Sequence, residues 1–310
     1  MIVVLAGGVG GSKFLKGIVS ATEEEITAVI NTGDDIDRFG LYISPDIDIN
    51  IYTLADVIHQ QGWGFKDETY SCQSILSKVY EEDCWFNLGD KDLATHIYRT
   101  FLLKQNRSLS EVTLKMCEEW NIPIRILPMS NEPVTTYIHT PGGKFHFQEY
   151  LIKRKMSDQV LKIEFNGIEN ASPTPGILEA IRKSDLILFA PSNPLVSINP
   201  ILSLPGIKKA ILESKAKVVA VSPVVGGDVI KGPGARMLKD LGIDVSPLGI
   251  ASCYSDLLDA MVIDCRDEEY AESLKQLNME TLVTDTIMDS DHKKRKLAEK
   301  VMDFVRYQLV

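Results

Sequence analysis

Two groups of aspartates stand close together in this chain: Asp34, Asp35 and Asp37, then Asp46 and Asp48. Clustered carboxylates suit two kinds of chemistry, the holding of a divalent cation and the orienting of a hydroxyl that must lose its proton. Asp46 and Asp48 are two residues apart, and on an extended segment they would point the same way. A surface pair without function has the same spacing, so the cluster alone leaves both readings open. Ahead of it lies Ala6-Gly-Gly-Val-Gly-Gly-Ser-Lys13. Glycine allows positive φ and close approach of backbone to an anion, and a turn that opens a helix aims N–H groups at a phosphate. Gly8, Gly10, Gly11, Ser12 and Lys13 are therefore candidate phosphate ligands. The turn is not the dinucleotide fingerprint, which would need glycine where Lys13 stands, nor a Walker motif, because Ser12 precedes Lys13. The competing reading is a tight strand-to-helix turn with no ligand.

A third group is Asp92, Thr95, His96 and Arg99, which fall at helical spacing and can share one face as a polar pocket wall. Its alternative is a charged solvent face.

The elements that must position these groups follow from the apolar pattern. Ile2 to Leu5 and Ile26 to Ile30 read as buried parallel strands, each ending in one of the polar motifs. Residues 50–120 read as a helical insertion, with apolar faces at Ile51, Leu54, Ala55 and Ile58, at Ile75, Val79 and Tyr80, and at Leu109, Val112, Leu114 and Met116. Residues 130–170 read as a β-hairpin subdomain punctuated by Pro141-Gly-Gly143, and Ile124 to Leu127 before it suits the main sheet. An α/β rhythm then returns. Asp185 to Ala190 is a strand ending in Pro191-Ser-Asn-Pro194, and Lys217 to Val221 a strand ending in Ser222-Pro-Val-Val-Gly-Gly-Asp-Val-Ile-Lys-Gly-Pro233. Short strands at Val262-Ile263 and Thr281 to Val283 close the sheet, and Leu297, Val301, Phe304 and Val305 mark a last core helix. The expected fold is a single three-layer, Rossmann-like, doubly wound and mostly parallel α/β domain over 1–310. In such a sheet the strand-end loops meet on one edge with the glycine turn. Ser192, Asn193, Gly226, Gly227 and Lys231 thereby become candidate nucleotide contacts, although turn chemistry alone also explains proline- and glycine-rich loops.

Composition bounds the partners. The chain has 310 residues, 45% of them hydrophobic and 25% charged, as in ordinary globular proteins. A net charge of −10 argues against nucleic acid or an acidic membrane as partner, though not against a nucleotide. No apolar run approaches a membrane span or a signal peptide. The cysteines, Cys72, Cys84, Cys117, Cys253 and Cys265, are odd in number and unpatterned, which suits reduced thiols in a cytoplasm.

Taken together, Ala6-Gly-Gly-Val-Gly-Gly11, Ser44-Pro-Asp-Ile-Asp48, Trp85-Phe-Asn-Leu-Gly-Asp-Lys-Asp-Leu-Ala-Thr-His96, Phe147-Gln-Glu-Tyr150, Ala190-Pro-Ser-Asn-Pro194 and the block Ser222–Pro233 resemble the 2-phospho-L-lactate transferase family. So do Tyr254-Ser-Asp-Leu-Leu-Asp259 and Val283-Thr-Asp-Thr-Ile-Met288. Asn87 departs from the arginine expected there. The resemblance implies transfer of a phospholactyl group from lactyl-2-diphospho-5′-guanosine to the deazaflavin riboside Fo, giving coenzyme F-420 without glutamates, and GMP. Relatives with a phosphoenolpyruvyl donor, and non-catalytic nucleotide-sugar-binding regulators, are its alternatives. It further implies Mg²⁺ held by Asp35 and Asp48, catalytic roles for Asp48 and Asp90, an acceptor pocket of Asp48, Asn87, Leu88, Thr95 and His96, and a homodimer.

Overall fold

Ile2–Ala6 is fully buried and forms β1, the middle of a seven-stranded sheet. The computed structural model describes residues 1–229 and 234–309. Lys231, expected as a phosphate contact, lies outside them. In chain order the remaining strands are β2 (Ile26–Ile30), β3 (Ile36–Arg38), β4 (Leu41–Ile43), β5 (Arg125–Pro128), β6 (Thr135–Thr140), β7 (Gly143–His146), β8 (Lys162–Asn166), β9 (Leu186–Phe189), β10 (Lys217–Val221), β11 (Val224–Val225), β12 (Asp228–Val229), β13 (Ala260–Asp264) and β14 (Glu280–Thr284). The main sheet runs β14-β13-β10-β9-β1-β2-β5, and every pair in it is parallel. The chain winds outward from β1 in one direction and then, from β9, in the other. The order reverses between β1 and β9, and the crevice beyond that reversal is where doubly wound sheets bind ligands.

Alternation along β1 divides the core. Val3 and Leu5 pack into one apolar cluster, and Ile2, Val4 and Ala6 into the other. The first cluster is closed by α6 (Ile177–Lys183), α7 (Asn199–Ser203), α8 (Ile207–Glu213), α9 (Gly234–Asp240), α10 (Pro247–Tyr254) and α11 (Ala271–Gln276). The second is closed by α1 (Gly8–Ala21), α2 (Pro45–Leu54), α5 (Leu109–Glu119) and α12 (Asp291–Tyr307). Leu297, Val301 and Phe304 of α12 are buried, as their spacing predicts.

Three departures from the sequence reading matter for the site. Asp46 and Asp48 lie on α2, not on an extended segment, so their side chains project about 200° apart rather than together. Proline at the first position and two acids in the first turn suit a helix start, and the alternation of isoleucine with polar residues arises because α2 is buried on nearly every side. Within 130–170, β7, β6 and β8 form a three-stranded antiparallel sheet. In 50–120, α3 (Ser71–Lys78) buries none of its residues. The expected apolar face of Ile75, Val79 and Tyr80 is therefore exposed.

Candidate active site

The loops after β1, β2, β9, β10 and β14, together with α2, the start of α4 (Asp90–Leu103) and the segment around Trp63 and Tyr70, enclose a cavity of about 770 Å³. It lies at the carboxyl edge of the sheet, over the β1–β9 reversal.

Its floor is the glycine turn. Gly7, Gly8, Val9, Gly10 and Lys13 line the cavity. Gly8 has a φ of +61°, which L side chains rarely adopt, and a methyl group on Gly10 would overlap the carbonyl oxygen of Pro191. Ser192 ties the same two loops together: its hydroxyl accepts the Gly7 N–H at 3.2 Å and donates to the Gly7 carbonyl at 2.8 Å. Glycine is thus required here first for close approach of two strand-end loops. Gly11 and Ser12 do not reach the cavity. Both are buried, and the Ser12 hydroxyl donates back to the Val9 carbonyl at 3.1 Å.

Beside this floor stands an acid pair that sequence spacing did not single out, Asp34 and Asp46. Both line the cavity, and both accept hydrogen bonds from one amide group, Asn31 Nδ2, at 3.0 and 2.9 Å. Asp46 also accepts the Gly8 N–H at 2.7 Å, and Asp34 accepts from Gln148 Nε2 at 2.8 Å. Burial pushes the Asp46 carboxyl up to about 6. Burial, with Asp46 and Asp35 beside it, raises Asp34 well above the usual carboxylate range. Asp35, expected at a metal, turns away from the cavity and accepts the hydroxyls of Ser44 at 2.7 Å and Tyr42 at 2.9 Å. Burial raises its carboxyl too, and those hydroxyls offset the effect only in part.

A second polar wall joins α2 to α4. Arg99 is fully buried and grips Asp48 with both terminal nitrogens, Nη1 to Oδ2 at 3.0 Å and Nη2 to Oδ1. His96 lies between two acids, with Nδ1 3.6 Å from Asp48 and Nε2 3.4 Å from Asp92, and Asp92 in turn accepts the Tyr52 hydroxyl at 2.7 Å. Burial opposes the Asp92 charge, but His96 and the Tyr52 hydroxyl hold its carboxyl below the ordinary range. Burial raises Asp48, an effect that Arg99 and His96 offset in part. Asp48, Tyr52, Asp92 and His96 line the cavity. The spacing of Asp92, Thr95, His96 and Arg99 thus marks an inward face, not a solvent face, and Thr95 is buried on it.

The exposed part of the cavity wall is aromatic. Trp63, Tyr70 and Phe86 line it, with Asn87 among them, and buried Tyr52 and Phe147 line the cavity as well. Leu88 is buried behind, where its N–H is taken by Gln73 Oε1 at 2.7 Å. Asp90, expected to be catalytic, does not line the cavity. Its carboxylate accepts the Thr69 hydroxyl and the N–H groups of Ser71 and Cys72, capping α3. Glu68 does the same in the other direction, accepting the N–H groups of Lys91 and Asp92 at the start of α4. Both carboxylates satisfy N–H groups at helix starts, and Glu68 also lines the cavity.

On the far side, Ser192 and Asn193 line the cavity with Ser222, Pro223, Val225 and Val229. Gly226 and Gly227 do not reach it. They make the positive-φ turn between β11 and β12, and the Gly226 N–H is taken by Asp267 at 3.0 Å. Thr286 to Asp289, after β14, complete the wall, held because buried Asp264 accepts both the Thr286 N–H at 2.9 Å and its hydroxyl at 3.1 Å.

The chain matches the family model described as 2-phospho-L-lactate transferase CofD over residues 2–305. A phosphoenolpyruvate transferase of Kitasatospora aureofaciens is 42% identical over 275 residues, covering 86% of each chain. A 2-phospho-L-lactate transferase of Methanosarcina mazei is 38% identical over 303 residues, covering 97% of this chain and 99% of its own. A crystal structure of a UPF0052 family member from Bacillus halodurans superimposes with a TM-score of 0.66 at 18% identity, over 97% of this chain and 98% of that one, which shows the fold. A match of this extent to the family model, together with relatives of this identity along nearly the whole chain, shows that the chain belongs to the 2-phospho-L-lactate transferase family and is an enzyme, a transferase.

Proposed function

We propose that this enzyme moves the 2-phospholactyl group of lactyl-2-diphospho-5′-guanosine to the ribityl hydroxyl of the deazaflavin riboside Fo, releasing GMP. The observation that carries this reading is one cavity holding a glycine floor at a helix start, a buried acid pair and an aromatic mouth. The glycine floor and the positive end of α1 suit a diphosphate. The flat faces of Trp63, Tyr70 and Phe86 suit a tricyclic ring, and Asn193 with the Ser222 and Thr286 loops suits a nucleoside. In the reaction the hydroxyl oxygen bonds to the phosphorus that carries lactate. The bridging bond to GMP breaks, and the hydroxyl proton leaves to a carboxylate of the site.

Mg²⁺ fits Asp34 and Asp46 better than Asp35 and Asp48. The first two line the cavity beside the glycine floor and are held by neutral N–H donors, whereas Asp35 does not line it and Asp48 is ion-paired with the Arg99 cation. Among the described residues no group of three or more His, Cys, Asp or Glu side chains is arranged to hold a metal. Two carboxylates with the remainder from phosphate oxygens and water is the usual manner of Mg²⁺. When bound, Mg²⁺ neutralises charge on the diphosphate. Asp48 then accepts the hydrogen bond of the ribityl hydroxyl and orients it.

The phosphoenolpyruvyl donor is a second reading, favoured by the 42% identity to the Kitasatospora protein. Incubation with Fo and either donor, with Mg²⁺ or with EDTA, followed by mass spectrometry, separates the cases. The lactyl donor should give product, and EDTA should abolish it. Product from the enolpyruvyl donor alone establishes the second reading. Failure with both donors, while GDP still binds, would overturn the donor and acceptor named here.

A further inference from the structure

We infer that Arg99 is a positioning residue of the transfer reaction, acting through Asp48. The inference rests on the proposed acceptor role of Asp48. Arg99 itself does not line the cavity, whereas its partner does. Its side chain is fully buried, and the guanidinium lies within 3.5 Å of the Tyr42 carbonyl and 3.9 Å of the Met116 sulfur. Those contacts hold the fork from the α5 and β4 sides, so its orientation is fixed by the fold. A carboxylate offers about four lone-pair sites, and a bidentate guanidinium takes two of them in one plane. What remains on Asp48 is thereby aimed. A free carboxylate on a helix would rotate about its own bonds, but this one cannot without giving up both bonds to Arg99.

The pair also spans two walls. Asp48 belongs to α2, which carries Asp46 and Tyr52, and Arg99 to α4, which carries Asp92 and His96. His96 Nδ1 is 3.5 Å from Arg99 Nη1, so the same guanidinium meets the ring as well as the carboxylate. Arg99 therefore sets how the acid that receives the acceptor hydroxyl faces the remainder of the site.

The test is Arg99→Lys. Lysine keeps the positive charge but replaces a planar fork with a point donor, so the carboxylate stays neutralised and loses its fixed plane. We expect kcat to fall on the order of 10²-fold, the scale of a misplaced reacting group. KM for the donor and calorimetric affinity for GDP should stay within about twofold, since the pair does not touch the glycine floor. In an Asp48→Asn background the same replacement should cost no further kcat, because nothing is left to position. If Asp48→Asn does not fold alone, Asp48→Asn with Arg99→Gln, a neutral pair of similar shape, supplies the floor, and Arg99→Lys should lie within about tenfold of it. Each kinetic value is taken where circular dichroism matches the wild type. Wild-type kcat in Arg99→Lys, or equal losses in both backgrounds, overturns the inference. Absence of transfer by the wild type itself overturns the functional reading instead.

Discussion

Asp46 accepts the backbone N–H of Gly8 at 2.7 Å, so a carboxylate oxygen of α2 caps the helix start at which a phosphate is expected. The same side chain takes Asn31 on its other oxygen. One acid therefore joins the floor of the cavity to the loop after β2.

This relationship has a pH signature. Burial raises the Asp46 carboxyl from an ordinary 3.8 to about 6, so between those values the folded state holds a proton that the unfolded chain has released. Stability then falls as pH rises through that window and levels off above it. Asp46→Asn cannot titrate. Its melting temperature should decline less than that of the wild type from pH 4 to 6.5, and parallel melting curves across that range would refute the assignment.

Gly10 is limited by its neighbour. A side chain there meets the Pro191 carbonyl, which is backbone and cannot step aside. Gly10→Ala should lower stability by about 1–3 kcal/mol, the cost of overpacking, and weaken GDP binding with it. A thermal melt alongside calorimetry checks this, and an unchanged melting temperature would show that the two loops have room to part.

Asp48→Asn is expected to do more than slow the reaction. It leaves the Arg99 guanidinium buried with one strong acceptor missing, and loss of one partner from a buried pair costs about 3–5 kcal/mol. Denaturant unfolding should show that loss beside a fall in kcat. A variant as stable as the wild type would mean that water reaches Arg99.

Asp90→Asn should leave kcat near normal and lower the melting temperature. The hydrogen bonds from Thr69, Cys72 and Ser71 hold the Asp90 carboxyl below its ordinary 3.8. A depressed value contributes stability above the unfolded value, and the contribution disappears as pH falls through the folded one. The difference in melting temperature should therefore shrink toward pH 3. A large loss of kcat at an unchanged melting temperature would return Asp90 to the catalytic machinery.

The sheet was legible because β1, β2, β9 and β10 are short apolar runs buried on both faces, each ended by a polar loop. The glycine turn and the inward face of α4 were legible for similar reasons, since their spacing is local. α2 was not. Burial on nearly all sides let isoleucines alternate with polar residues, which imitates a strand. The Asp34–Asp46 pair was hidden because its meaning comes from Asn31 and from Gln148, a residue 114 positions distant. The grip on Asp48 was hidden because Arg99 reaches it from a separate helix.

Glu68 and Asp90 each cap the helix on which the other leans, and this makes the starts of α3 and α4 a single cooperative latch. If the first turn of α4 opens, Asp90 moves and the N–H groups of Ser71 and Cys72 lose their acceptor. If the segment before α3 swings out, Glu68 leaves with it and exposes the N–H groups of Lys91 and Asp92. Beyond these caps α3 is held through Gln73, whose side chain accepts the Leu88 N–H and donates to the Cys84 carbonyl and to Asn87 Oδ1, and since α3 buries none of its residues the four amides should exchange with solvent deuterium at one shared rate. Tyr70 and Asn87 lie beside that latch, so its opening would shift this part of the cavity wall, whereas Asp48 is tied to Arg99 and the glycine floor to the loop after β9.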